Sequence, residues 1–299
     1  MRTNNPTIAL MICIILALSA HCPAQMSATR PTTRTTYARD KFPYTPSNFR
    51  SAKPDLPSLI IAGDSTATNG DPLHRGWGAL LIDYFDTDKI NLVNLARGGR
   101  SARSFVYEGA WDQLLAGVKP GDYVLIQWGH NDGGNIKDPK FRADLPGDGP
   151  TTQPVTRTNG IEVVHTFGWY NRKFIADVRA KGAFPILMSP TQYNPYINGK
   201  FVRRPGDFAD ISLKVAQDEN VPYLDHTNII NDRYEQLGPD VVRTFYVADH
   251  LHTTTPGATV NAECFIAGLK SLGIQPLVDA LNAKGQAIPA YVPTTQKSE

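Results

Sequence analysis

The sequence predicts an α/β fold, a mainly parallel, doubly wound sheet with helices on its connections. Two observations predict it. Short apolar runs of strand length alternate with longer stretches of helical periodicity, which favours right-handed crossovers between parallel strands. The polar clusters that carry chemistry also follow directly after the apolar runs, at the carboxyl edge where such sheets place their ligands.

The first strand is Leu59-Ile60-Ile61-Ala62, ending in Gly63-Asp64-Ser65-Thr66; Gly63 permits the turn, and a helix directly after it would aim N-terminal amides at the rim. Gly76 to Phe85 places Trp77, Leu80, Leu81 and Tyr84 at helical spacing, a core-facing stripe. Strand Ile90 to Val93 leads to the paired glycines Gly98-Gly99. Ser104 is expected to cap a helix through about Leu115, which Lys119-Pro120-Gly121 ends. Tyr123 to Trp128 is the next strand, followed by Gly129-His130-Asn131-Asp132. Helices over about 169–181 and 208–219 each precede a strand, 184–188 and 222–224, and a closing helix spans 256–272. Residues from about Asn135 to Thr166 show no pattern that assigns them.

Ser65 at a strand end is a candidate nucleophile, although Gly-Asp-Ser alone reads equally as a helix N-cap. The other half of a hydrolytic site is Asp249-His250-Leu251-His252. Hydroxyl activation needs an imidazole within hydrogen-bond reach and a carboxylate to orient it, and a three-residue spacing in a turn puts Asp249 and His252 on one side of the backbone. Two other readings stand beside this one: half of a metal site that includes His250, and a histidine that only caps the closing helix. No third cluster completes a metal site, and no Cys/His zinc spacing is present. Gly99 and Asn131 supply an amide and a carboxamide suited to an oxyanion, while each segment also reads as a plain turn.

The four blocks Gly63-Asp64-Ser65, Gly99, Gly129-x-Asn131-Asp132 and Asp249-x-x-His252 occur in the order of the SGNH (GDSL-like) hydrolase superfamily, which this chain resembles over about residues 58 to 270. Within it, Gly99-Arg100-Ser101-x-Arg103-Ser104-Phe105, Glu108-Gly109, Gly121-Asp122-Tyr123 and Asp249-His250-x-His252-Thr253 resemble the rhamnogalacturonan acetylesterase group. The resemblance implies a three-layer αβα sandwich of flavodoxin-like type. It also implies a Ser65 nucleophile, His252 as base, Asp249 as its orienter, and an oxyanion hole from the Ser65 amide, the Gly99 amide and the Asn131 side chain. No metal or organic cofactor is implied, and the expected substrate is an acetylated pectic polysaccharide, with xylan or small acyl esters as the alternative. A non-catalytic polysaccharide-binding protein is a second class, but binding alone does not require this full set of residues.

Arg100, His130, His250 and Arg203 are candidate substrate contacts, with Arg103 and Arg204 as further partners for galacturonate carboxylates. Arg100 and Arg103 have an alternative role in supporting the fold through loop carbonyls or Asp132. Trp128, Tyr193 and Tyr196 are candidate sugar platforms, or else packing residues.

Residues 1–25 read as a signal peptide, with Arg2 ahead of the apolar stretch Ile8 to Ala20, which is short for a bilayer span. Secretion or periplasmic export follows; the alternatives are a lipoprotein anchored through Cys22, disfavoured by His21 before it, and an apolar start that serves as a membrane anchor. Residues 26–55 read as a linker arm, 56–285 as one hydrolase domain and 286–299 as a tail. Cleavage would leave Cys264 without a disulfide partner. A net charge of +2 in 299 residues provides no strong field for nucleic acid or an anionic membrane.

Overall fold

The computed structural model describes residues 53–293 except 69, 71, 159, 204 and 205; the expected signal peptide, Cys22, Arg204 and most of the N-terminal arm lie outside the described residues. The strands run in chain order as β1 (Ser58–Gly63), β2 (Asn91–Asn94), β3 (Tyr123–Gln127), β4 (Thr152–Arg157), β5 (Gly160–His165), β6 (Phe184–Met188), β7 (Tyr196–Ile197), β8 (Lys200–Phe201) and β9 (Tyr223–Leu224). The helices are α1 (Ala102–Tyr107), α2 (Ala110–Gly117), α3 (Phe167–Ala180), α4 (Asp207–Asp218), α5 (His226–Leu237), α6 (Pro239–Val242), α7 (Thr255–Leu272), α8 (Gln275–Asp279) and α9 (Ala283–Ala287).

β1, β2, β3, β6 and β9 form one sheet in the order β2-β1-β3-β6-β9, with every pairing parallel. All six residues of β1 and all five of β3 are buried, as expected of strands covered on both faces. Successive side chains point to opposite faces, so Leu59 and Ile61 enter one core with Trp77, Phe265 and Leu269. Ile60 and Ala62 enter the other with Phe105, Trp111 and Phe174. Each core is closed by helices, giving the expected three layers. The chain leaves β1 for β2 on one side and returns to β3 on the other, so the carboxyl ends of β1 and β3 flank a crevice at the switch point of the sheet.

Several local expectations need correction. No helix starts at Ser65: the Asp64 side chain accepts from the Thr66 amide and closes a turn instead, and the chain reaches a short 3-10 helix only at Trp77–Asp83. The helix after the paired glycines is capped by Ser101, whose hydroxyl accepts from the Ser104 amide; Ser104 is the reciprocal member of a capping box. That helix also breaks at Glu108-Gly109, where Gly109 takes a φ of +74° and begins α2. The unassigned stretch contains the antiparallel β4–β5 hairpin, and α5 escaped the sequence pattern too. The boundary expected at residue 285 falls inside α9, and Tyr291 beyond it donates its amide to the Ala267 carbonyl and its hydroxyl to Asp232. Among the described residues no helix is long and apolar enough to cross a membrane.

Candidate active site

β1 delivers Ser65 to the crevice. The fully buried Asp64 carboxylate holds the turn by accepting both the amide and the hydroxyl of Thr66, each at 2.8 Å. Gly63 lies so close to β3 that an added Cβ would sit 3.2 Å from the Gln127 carbonyl oxygen. A Cβ on Gly98 would stand 3.8 Å from that of Ser65, so the glycine loop after β2 runs beside Ser65.

His252 comes from the opposite direction, on the loop before α7. Its Nε2 lies 2.8 Å from Ser65 Oγ and its Nδ1 lies 2.7 Å from Asp249 Oδ2. Asp249 Oδ1 accepts the amides of Leu251 and His252, each at 2.7 Å. Partial burial alone would raise the Asp249 carboxyl, but the bonds from the ring and the two amides outweigh it and bring it down to about 2. The loop is tied into the fold by the Arg75 amide donating to the Thr253 carbonyl, the Thr254 amide to that of Phe245 and the Asn194 amide to that of His250. His250 stacks on Tyr193, with ring centroids 5.5 Å apart. Among the described residues no group of three or more His, Cys, Asp or Glu side chains is placed to hold a metal ion.

The donor side is built from three loops. The amides of Ser65 and Gly99 make no hydrogen bond among the described residues, and Gly99 adopts a φ of +71° in the turn closed by the Arg100 amide and the Arg97 carbonyl. Asn131 donates through Nδ2 to the Arg100 carbonyl at 3.1 Å, while its Oδ1 accepts from Arg142 Nη1 at 3.1 Å. Behind Asn131, the buried Asp132 carboxyl accepts the Ala102 amide at 2.7 Å and the Gly129 amide at 2.8 Å, joining the loops after β2 and β3. Burial, reinforced by the nearby Asp64 charge, pushes Asp132 up to about 7 against the pull of those amides. Asp144, buried beside it, is pushed well above the usual range by burial and then by the Asp132 charge, with Arg103 opposing. His130 is half-buried, bonds Thr191 Oγ1 at 3.0 Å and meets Tyr193 edge-on at 5.0 Å; burial lowers its proton affinity.

Ser65, Asp249, His252, Gly99 and Asn131 therefore converge, and His130 and His250 meet through Tyr193. Other candidates do not join them. Arg103 is fully buried, pairs with Glu162 at 2.7 and 2.9 Å and bonds the carbonyls of Ile136 and Ala143. It supports loops, as one of its two expected roles has it, and through those carbonyls rather than Asp132. Arg100 is engaged by Glu108 at 2.9 Å and by the Gly98 carbonyl. Arg203 pairs with Asp232 at 2.5 Å and Glu235 at 2.7 Å, and a substrate carboxylate would have to displace both. Trp128 is 1% exposed and packs on Phe105, which removes it as a sugar platform, and Tyr196 bonds the Tyr234 carbonyl and packs on Phe201. Sequence reasoning missed Arg142, which lies in the segment without periodicity, and His74, whose ring stands edge-on to His252 at 5.7 Å. Neither carries a motif that would have marked it.

Residues 61–260 match the model of the GDSL-like lipase/acylhydrolase family. The chain is 36% identical over 218 residues to a rhamnogalacturonan acetylesterase of Emericella nidulans, covering 73% of this chain and 86% of that protein. It is 31% identical over 230 residues to the probable rhamnogalacturonan acetylesterase YesY of Bacillus subtilis, covering 75% and 96%. Among solved structures it is similar to the crystal structure of YxiM from Bacillus subtilis, with a TM-score of 0.60 and 26% identity over 74% of this chain, and spans 58% of that longer chain. With its serine and histidine at the switch point of a parallel sheet, this chain belongs to the GDSL-like lipase/acylhydrolase family of carboxylic-ester hydrolases.

Proposed function

We propose that the protein is an exported carbohydrate esterase that removes acetyl groups from a pectic polysaccharide, rhamnogalacturonan, through an acyl-enzyme on Ser65. The observation that carries this is the unbroken relay from Ser65 Oγ through both ring nitrogens of His252 to Asp249, at 2.8 and 2.7 Å. Ser65 attacks the acetyl carbonyl as His252 takes its proton, and the imidazolium is held by Asp249, which stays ionised because its carboxyl is drawn down to about 2. The tetrahedral oxyanion is met by the amides of Ser65 and Gly99 and by Asn131. His252 returns the proton to the departing sugar oxygen; water then attacks the acetyl-enzyme as the same imidazole takes its proton, which passes to Ser65 Oγ as the ester bond breaks and the acetyl group leaves as the acid.

The substrate class is supported by the two rhamnogalacturonan acetylesterase relatives and by the surroundings of the nucleophile. His130, Tyr193, His250 and Arg142 make a polar and aromatic rim that suits a sugar better than an acyl chain. The test is acetate release from acetylated rhamnogalacturonan, homogalacturonan and xylan, and hydrolysis of a long-chain ester, by the wild type and Ser65→Ala. The reading expects rhamnogalacturonan to be turned over fastest and Ser65→Ala to be inactive at unchanged thermal stability. Faster turnover of xylan would transfer the substrate assignment to that glycan, and activity retained by Ser65→Ala would remove the mechanism.

A further inference from the structure

We propose that Arg142 is a positioning residue of the oxyanion site: its guanidinium fixes the Asn131 carboxamide and strengthens it as a donor. This rests on the reading of Ser65 as nucleophile and Asn131 as oxyanion donor.

The carboxamide of Asn131 is held at both ends. One Nδ2 hydrogen goes to the Arg100 carbonyl at 3.1 Å, the oxygen accepts from Arg142 Nη1 at 3.1 Å, and the second Nδ2 hydrogen remains to meet substrate. A guanidinium only donates and stays charged, so a flipped carboxamide would set donor against donor at Arg142 and acceptor against acceptor at Arg100. The same guanidinium lies over the second donor loop: a Cβ on Gly99 would come within 2.7 Å of Arg142 Nη2 and 3.2 Å of Cζ. One side chain thus spans two of the three oxyanion donors.

Among the described residues nothing else accounts for that placement. Arg142 forms no ion pair with a carboxylate among the described residues, and its Nη2 has no hydrogen-bond partner there. Its backbone is already secured by Ser101 Oγ, which donates to the Arg142 carbonyl at 2.5 Å while serving the α1 cap. The neighbouring Asp144 amide donates to the Asp132 carbonyl at 2.8 Å, so the loop carrying Arg142 is bound to the two loops whose donors it spans. Ordering a long arginine side chain costs conformational entropy, and here that order serves the donor side. As negative charge develops on the acetyl oxygen, the guanidinium behind Asn131 polarises the amide that meets it, an effect absent from the neutral ground state.

The experiment measures kcat and KM for Arg142→Ala and Arg142→Lys on p-nitrophenyl acetate, a small neutral ester, and on acetylated rhamnogalacturonan, beside Asn131→Ala and the double variant. Misplacing one donor predicts a fall of about 10- to 100-fold in kcat on both substrates for Arg142→Ala, with KM within about two-fold. Arg142→Lys or added guanidinium ion should recover part of it. Because Arg142 acts through Asn131, the double variant should be no slower than Asn131→Ala. Full kcat on the neutral ester, additive losses in the double variant, or a rise in KM confined to the acidic polymer would each overturn the inference, the last by assigning Arg142 to a substrate carboxylate. If Ser65→Ala and Asn131→Ala are themselves fully active, the underlying site reading has failed; if they are crippled and Arg142→Ala is not, only this inference has.

Discussion

The two sides of the crevice are built in opposite ways. On the donor side, Asp132 is buried and its carboxyl joins the backbones of two loops, and the fully buried Arg103 gathers the next loop. On the other side, Asp249 has a side chain 37% exposed and His252 one 26% exposed, and their order comes from a compact turn and a few backbone anchors. The two carboxyls move in opposite directions because burial and hydrogen bonding are balanced differently at each. Burial pushes Asp132 up to about 7, whereas at Asp249 burial is slight enough for hydrogen bonds to win and draw it down to about 2. On the proposed mechanism the contrast has a reason: oxyanion donors need to be fixed before charge appears, which desolvated supports provide, whereas an acid–base pair that exchanges protons with water belongs at the surface.

The largest effect should come from the exposed side and fall mainly on catalysis. His252→Ala should lower kcat by about 10⁶-fold and Asp249→Ala by about 10⁴-fold; neither side chain supports the core, so Asp249→Ala should lose only the stability that its hydrogen bonds contribute. A collapse of folding in either variant, as expected of a core residue, would break the contrast.

The pH dependence of stability sharpens it. Asp132 is raised in the folded state above its ordinary unfolded value near ~4, so between about pH 4 and pH 7 the native protein binds more protons than the unfolded chain and its contribution to stability falls as pH rises. Asp249 has the opposite sign. Lowered to about 2, it contributes stability above pH ~4 that is lost as pH falls towards 2. Melting temperatures measured from pH 3 to pH 8 should therefore show a shallower decline above pH 4 in Asp132→Asn, and a smaller loss on acidification in Asp249→Asn. A wild-type slope retained above pH 4 in Asp132→Asn would show that this carboxyl does not titrate there.

The smallest effect is expected away from both sides. Arg203→Ala should cost about 1 kcal/mol of stability or less, since its ion pairs are partly solvated, and should leave KM on acetylated rhamnogalacturonan unchanged. A several-fold rise in KM would return Arg203 to the substrate.

What was legible in the sequence was local or periodic. The apolar runs of β1 and β3 could only be strands buried on two faces, and the four polar blocks at strand ends preserved the order of an ester-hydrolase site. Misreadings arose where one local signal competed with another. The Asp64 side chain closed a turn where a helix was expected after Ser65, and Gly109 broke a helix that periodicity alone would have run through. The β4–β5 hairpin stayed hidden because apolar Ile161 and Val163 face outward while charged Glu162 faces inward to a distant arginine, which erases the alternation that would mark a strand.

By itself the sequence determined which residues carry reactive groups and that a parallel sheet would bring strand ends to one edge, because side-chain chemistry and hydrophobic period are properties of short segments. Only the tertiary structure decided that Ser65 and His252 meet, that Arg103 and Arg203 answer to protein carboxylates, and that Arg142 stands behind Asn131. Those facts depend on contacts between segments far apart in the chain, where burial and the competition among hydrogen-bond partners select one arrangement from many that the local sequence would allow.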